Sequence, residues 1–111
     1  MGKSWSRVMG FGLLALVAVA ASGCGQIGML EAKMAFKDAN QLYQNQDYRE
    51  AAKKYEEVLA NDPSLTYAYF FLGNSYDQQY RSVKRGEAAN DALLTKAIEN
   101  YKKSAEVETG P

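Results

Sequence analysis

The sequence predicts an all-α protein, and three observations support this fold class. Apolar side chains recur every three or four residues along most of the chain after residue 30, which is the spacing of one helix face. No alternating β-branched run, the pattern typical of a strand, follows Cys24. A segment that begins at Ala35 has a counterpart that begins 34 residues later at Tyr69, which indicates an internal repeat.

The N-terminal region has the composition of a secretory signal. Lys3 and Arg7 precede the apolar run 8–21, which ends just before the single cysteine, Cys24. This run is too short for a permanent membrane span, which needs about 20 apolar residues. We therefore expect residues 1–23 to be a signal helix that is cleaved from the mature protein.

The four residues 21–24, Ala-Ser-Gly-Cys, resemble the lipobox of bacterial lipoproteins, with alanine where that family usually has leucine. The resemblance implies that Cys24 is lipidated and becomes the first residue of a protein anchored to the cell envelope. Gly25, where aspartate would retain the protein in the inner membrane, implies the outer membrane, facing the periplasm. Residues 24–29 contain two glycines and no charge, which predicts a flexible tether. An ordinary signal peptide without lipid is the alternative.

Composition argues against several functions. The chain has 13 basic and 13 acidic residues, and cleavage of the signal would leave the mature part slightly acidic, so we expect no nucleic-acid partner. There is no histidine, and lipidation would consume the only thiol. The glutamates Glu56 and Glu57 lie among lysines, as on a solvated helix face. We therefore expect no enzymatic activity, no metal and no cofactor.

Four helices are predicted. The first, about residues 30–44, places Ala35, Ala39 and Leu42 on one face, and Asn45-Gln46 ends it. Asp47 followed by Glu50 fits a capping box that opens the second helix, which continues to residues 61–62.

Pro63 ends the second helix, because proline disfavours helical geometry at the residue before it. The same proline suits the start of the third helix, about 64–81. The fourth helix, about 90–107, carries an apolar stripe formed by Leu94, Ala97, Ile98, Tyr101 and Ala105.

The repeated segments resemble the tetratricopeptide repeat. The matching positions are Tyr69, Leu72, Gly73 and Tyr76, together with the pairs Ala51/Tyr55 and Ala97/Tyr101. The resemblance implies two antiparallel helical hairpins within residues 30–107, with repeat 1 at about 32–65 and repeat 2 at about 66–107. Stacks of such hairpins usually contain three or more repeats. We therefore expect this pair to leave an apolar face partly open, which a partner or a second copy of the chain would cover.

The second repeat is longer than the first. Leu42 and Ala51 are nine residues apart, whereas the corresponding Tyr76 and Ala97 are 21 apart, which indicates an insertion over about 77–92. If both helices share it equally, each grows by six residues. The basic tip, residues 81–86, is either a contact for anionic lipid or an acidic partner, or an ordinary solvated loop.

In the repeat family, the first helices of successive hairpins line a groove that holds peptides or partner helices. Residue by residue, the resemblance assigns this groove to Lys33, Phe36, Asn40, Tyr43, Gln44, Tyr67, Phe70, Asn74, Asp77 and Gln78. Asparagine amides both donate and accept hydrogen bonds, so a spaced pair suits a peptide backbone. The sequence therefore predicts a membrane-anchored adaptor that binds another envelope protein or peptide; a structural homo-oligomeric lipoprotein is the alternative.

Overall fold

The computed structural model describes residues 26–108, and helices are the only regular structure among them. Helix α1 covers residues 26–44, α2 Tyr48–Asn61, α3 Ala68–Gln79 and α4 Ala88–Glu108, with a 3-10 turn at Ser82–Lys84. The all-α prediction is confirmed. The predicted signal peptide 1–23 and the predicted lipidation site Cys24 lie outside the described residues.

Contacts between side chains give the relative directions of the helices. The rings of Tyr43 and Tyr48 lie 5.5 Å apart next to the α1–α2 connection, and a Cβ at Gly28 would lie 3.3 Å from the Asn61 carbonyl oxygen at the other end, so these two helices run in opposite directions. Lys96 lies over Tyr76 and Lys103 over Tyr69, so α3 and α4 also oppose each other.

The first and third helices run in the same direction. Tyr43 of α1 donates a hydrogen bond to Asn74 of α3, and seven residues earlier Phe36 contacts Tyr67. The buried core between the helices is rich in alanine, with few large side chains. It consists of Ala32, Ala35, Ala39, Ala51, Ala52, Tyr55, Val58, Ala68, Leu72, Tyr76 and Ala97. Small residues at the crossings let the helix backbones approach closely.

Helix α1 begins earlier than predicted. Residues 26–29, assigned to a flexible tether on composition, are helical. A Cβ at Gly28 would lie 3.3 Å from the Asn61 carbonyl oxygen, so glycine permits α1 to lie close to the end of α2. The prediction of a flexible tether is wrong for residues 26–29, because the helix packs against the end of α2 at Gly28.

The α1–α2 connection is closed by backbone hydrogen bonds. Gln46 N–H donates to the Tyr43 carbonyl at 3.0 Å and Asp47 N–H to the Leu42 carbonyl at 2.9 Å, which is a Schellman motif. Gln46 adopts φ 62° at the position where glycine is usual. The predicted capping box is wrong, since the Asp47 side chain makes no capping hydrogen bond.

The α2–α3 connection is longer than predicted, although α2 ends as expected. Asp62, before the proline, is extended, and its carboxylate accepts hydrogen bonds from the backbone and the hydroxyl of Ser64. These bonds hold a turn after Pro63. Helix α3 therefore begins at Ala68 and not at residue 64.

Helix α3 also ends earlier than predicted. Asn90, almost fully buried, accepts a hydrogen bond from Arg81 N–H at 2.9 Å and donates one to the Arg81 carbonyl at 2.8 Å. These bonds satisfy the backbone of Arg81 outside a helix, so α3 stops at Gln79. The expectation that the insertion lengthens both helices equally is wrong, since α3 has 12 residues whereas α4 has 21.

The left-handed conformation of Gln46 predicts that Gln46→Gly stabilises the protein. A left-handed residue with a side chain costs about 1–2 kcal/mol, and the greater unfolded-state entropy of glycine offsets part of the gain. We expect the free energy of unfolding to rise by about 0.5–1 kcal/mol, measured by urea denaturation in detergent. Gln46→Ala is the control, and equal stability of the Gly and Ala variants would contradict the assignment.

The contact of α3 with α4 predicts that Gly73→Val is strongly destabilising. A Cβ at Gly73 would lie 3.1 Å from the Ala97 carbonyl oxygen and 3.2 Å from Tyr101 N, so any side chain pushes on the α4 backbone. We expect a loss of about 2 kcal/mol or more in the free energy of unfolding. Gln78→Val, at an exposed position of the same helix, is the control. A loss no larger than that of the control would show that α4 moves away without cost.

Candidate functional site

The residues predicted to line a groove come from α1 and α3, and we call them the α1–α3 surface. The Phe36 and Tyr67 rings meet edge to face with centroids 4.8 Å apart. Further along, the Tyr43 hydroxyl donates to Asn74 Oδ1 at 2.7 Å. The two rows of predicted residues therefore lie side by side.

The two asparagines of this surface hold the helices together. Asn40 Oδ1 accepts a hydrogen bond of 2.7 Å from the Tyr55 hydroxyl of α2. Asn74 accepts from Tyr43 and donates to the Tyr101 hydroxyl of α4 at 3.1 Å. Because an amide has two hydrogens and two oxygen lone pairs, each asparagine keeps capacity for a further partner.

A chain of hydrogen bonds runs across the surface. It passes from Tyr43 to Asn74 and Tyr101, and the Tyr101 hydroxyl donates to the Asp77 carboxylate at 3.0 Å. Asp77 is exposed, so the chain connects the interior with solvent. The network fixes the rotamers of these side chains and pre-organises this part of the surface.

Apolar area remains accessible where α3 begins. Tyr67, just before α3, is 50% exposed and Phe70 is 47% exposed, although α3 is buried on its other side. The Phe70 ring lies 5.8 Å from that of Tyr101, which supports it from α4. Exposed aromatic rings held by neighbours offer contact area at a low entropic cost, which suits the binding of another chain.

The predicted residues do not all line one pocket. Lys33, Phe36, Asn40 and Gln44 line an open concavity of 450 Å³ along α1. Gln78 lines a different one, of 510 Å³, which also includes Tyr48 at the start of α2. The binding capacity of all these residues stays a prediction, and their positions favour an extended contact over a single enclosed site.

Sequence reasoning missed two residues that organise the site. Phe71 stacks on Tyr55 with centroids 5.8 Å apart, whereas its neighbour Phe70 faces solvent. Tyr101 was assigned to an apolar stripe, yet its hydroxyl joins the hydrogen-bond chain. Adjacent phenylalanines do not reveal which one is buried, and the partner of Tyr101 is 27 residues away, so no local signal was available.

A second groove lies on the other side of α3, between α2 and α4. Its volume is 410 Å³, and its lining includes Tyr69, Tyr76, Lys96 and Lys103. Each lysine ammonium lies over a tyrosine ring, at 5.2 Å for Lys96 and 5.6 Å for Lys103. The Tyr76 hydroxyl donates to the carboxylate of Glu56, which gives this groove charges of both signs.

The basic tip lies at the far end of the molecule from the start of α1. Because α1 and α3 run in the same direction, the turn Ser82–Lys84 after α3 is beyond the end of α1, not near residue 26. Arg81, Lys84 and Arg85 are all exposed there. Contact of this tip with lipid at the Cys24 end of the chain is therefore disfavoured.

Three phenols have perturbed titration. Burial raises the pKa of the Tyr43, Tyr55 and Tyr101 phenols above that of an exposed tyrosine. In the part of the chain that the structure describes, no cluster of carboxylate, cysteine or histidine side chains is arranged to hold a metal ion. Within the same residues, no helix has the length and hydrophobicity needed to cross a bilayer.

The raised pKa of Tyr55 predicts alkaline destabilisation. Above about pH 10, the ordinary pKa of a tyrosine, the unfolded chain loses the phenolic proton of Tyr55 while the folded chain keeps it, so the free energy of unfolding falls as pH rises. In Tyr55→Phe we expect a weaker fall, together with a loss of about 1 kcal/mol at neutral pH from the missing bond to Asn40. Urea denaturation between about pH 9 and pH 11 measures both effects.

Tyr67→Phe, at an exposed position of the α1–α3 surface, is the matched control for this substitution. It removes a phenol without removing a buried hydrogen bond. The same pH dependence in Tyr55→Phe as in the unmodified chain would contradict a role for the Tyr55 phenol in the alkaline transition.

Comparison of the chain with protein-family models, with curated proteins and with solved structures finds no match. The function is therefore argued from the chemistry and position of the side chains described above. The most informative of these are the α1–α3 surface and the exposed rings at the start of α3.

Proposed function

We propose that this protein is a lipid-anchored interaction module of the bacterial cell envelope, built from two tetratricopeptide-like hairpins and binding a peptide or helix of another envelope protein. The single observation that carries the proposal is the α1–α3 surface. Side chains of α1 and α3 lie side by side there, with Tyr67 and Phe70 about half exposed. First helices that are parallel neighbours are what a groove of this kind requires.

The directions of the helices support the two-hairpin architecture. Helix α2 runs back along α1, since Tyr48 lies near Tyr43 and Asn61 near Gly28. Helix α4 runs back along α3, since Lys96 lies over Tyr76 and Lys103 over Tyr69. Gly73, a signature position of the repeat, lies against the backbone of α4. The close approach explains why a glycine suits this position, and it agrees with the role of small residues in the repeat family.

The chemistry of the surface suits a polypeptide ligand. Tyr67 and Phe70 offer apolar contact, and the amides of Asn40 and Asn74 offer hydrogen bonds that do not depend on the ligand's side chains. The concavity on α1 is open, as an extended ligand needs. Exposed Lys33 adds a positive charge and favours an acidic group on the ligand near the start of α1.

The anchor in this proposal is the lipid on Cys24. Attachment there puts the start of α1 at the outer membrane, on the periplasmic side, and leaves α3 and α4 accessible to partners. More than one acyl chain is needed for stable anchoring. We also propose that the protein is not an enzyme, since its sequence has no histidine, the commonest general acid–base residue, and lipidation would consume its only thiol.

A homo-oligomeric structural lipoprotein is the second candidate. One observation favours it: Ile98 of α4 is exposed one helical turn before Tyr101, which contacts the exposed ring of Phe70. Apolar side chains on neighbouring helices are typical of a face that meets another subunit. The two candidates differ in what occupies this face, which crosslinking identifies.

The proposal predicts that Tyr67→Ala and Phe70→Ala each weaken partner binding by at least about tenfold, since truncation of a central aromatic hot spot costs about 2 kcal/mol or more. A photo-crosslinking residue at Gln44 first identifies the partner in cells. Calorimetric titration with that purified partner then gives the affinity of each variant.

Val83→Ala is the control, because Val83 is 90% exposed but lies on the distant basic tip. Unchanged affinity in both aromatic variants would contradict the groove. Crosslinks between copies of this chain alone would favour the homo-oligomer instead.

A further inference from the structure

The solvent face of α1 changes character along the helix. Ile27, Leu30 and Met34 follow one another at steps of three and four residues, so they form one row. They are 57%, 60% and 61% exposed. The same row continues with the exposed polar side chains of Lys37, Gln41 and Gln44.

The apolar part of this row is not covered by the other helices. The buried face of α1 is formed by Ala32, Ala35 and Ala39. At about 100° per residue, this buried face lies on the opposite side of the helix from Leu30 and Met34. Helices α2, α3 and α4 therefore leave the apolar row exposed to whatever lies outside the molecule.

The position of the row in the chain indicates what covers it. Ile27 follows Cys24 by three residues and the apolar run 8–21 by six. At 1.5 Å per residue, the row from Ile27 to Met34 is about 10 Å long, so all of it lies close along the chain to Cys24. The exposed charges around it balance, since Lys33 and Lys37 are accompanied by Glu31 and Asp38, so we expect an apolar contact and not an electrostatic one.

We infer that Ile27, Leu30 and Met34 dock onto the lipid surface to which the chain is anchored. This inference deepens the proposed function and rests on it, because it adds a second membrane contact beside lipidated Cys24. The contact fixes the start of α1 against the bilayer and thereby orients the α1–α3 surface. A second copy of the chain is the less suitable occupant, since a paired helix would present apolar residues along the whole row, whereas Lys37 and Gln41 interrupt it.

Fluorescence quenching in vesicles tests the inference. A second cysteine is introduced in the full chain by Leu30→Cys or Met34→Cys, with Gln41→Cys and Gln44→Cys as controls on the same row. Each is labelled with an environment-sensitive dye and reconstituted in phosphatidylethanolamine–phosphatidylglycerol vesicles that contain a spin-labelled quencher lipid. We expect the dyes at 30 and 34 to be quenched at least about twofold more than those at 41 and 44.

Equal quenching at all four positions would overturn the inference. Dyes at 30 and 34 that are shielded from water but not quenched, with disulfide crosslinking between chains, would also overturn it and would identify a second copy as the occupant.

Mass spectrometry of the purified chain shows whether Cys24 carries lipid. It therefore distinguishes a failure of the docking inference from a failure of the proposed anchor. A lipid-modified Cys24 without preferential quenching rejects the docking alone. Preferential quenching without lipid on Cys24 supports the docking and rejects the anchor. Dye labelling of the chain without an added cysteine shows directly whether the thiol of Cys24, its single cysteine, is free.

Discussion

The arrangement of the first three helices depends on one buried tyrosine. Tyr55 of α2 is fully buried, its hydroxyl donates to Asn40 of α1, and its ring stacks on Phe71 of α3. A phenol can be buried at this depth only when its hydroxyl has a partner, so Asn40 is required for the core and not only for the surface. Through this residue, α2 sets how far apart α1 and α3 lie, and hence the width of the surface between them.

The polar network extends this constraint to α4. Asn74 is bonded to Tyr43 and Tyr101, so the second asparagine joins three helices as the first joins two. The amides therefore have a structural role beside the recognition role proposed for them. In the proposed function, recognition would depend more on Tyr67 and Phe70, whose rings are accessible and make no hydrogen bond that holds helices together.

The small core has consequences for the outside of the molecule. Alanines at the helix crossings bring the backbones close together, and larger apolar side chains are left on the surface. Most of them lie in two regions with different neighbours, the start of α1 near the proposed anchor and the rings at the start of α3, while Val83 and Ile98 lie apart from both. Proposed lipid contact and proposed partner contact are thus adjacent, and an anchored α1 would hold the binding surface in a defined orientation.

The sequence by itself determined the helical fold class and the limits of α2, because periodic apolar residues and Pro63 act within a few residues of where they stand. The resemblance to the repeat family also paired α1 with α3, and the structure brings Phe36 next to Tyr67 and Tyr43 next to Asn74. Only the tertiary structure decided where α3 ends and which asparagine lone pairs are occupied. Asn90 bonds to a backbone nine residues away and Asn74 to hydroxyls on two other helices. Local patterns encode which face of a helix is apolar, whereas the identity of a distant partner arises only when the helices pack.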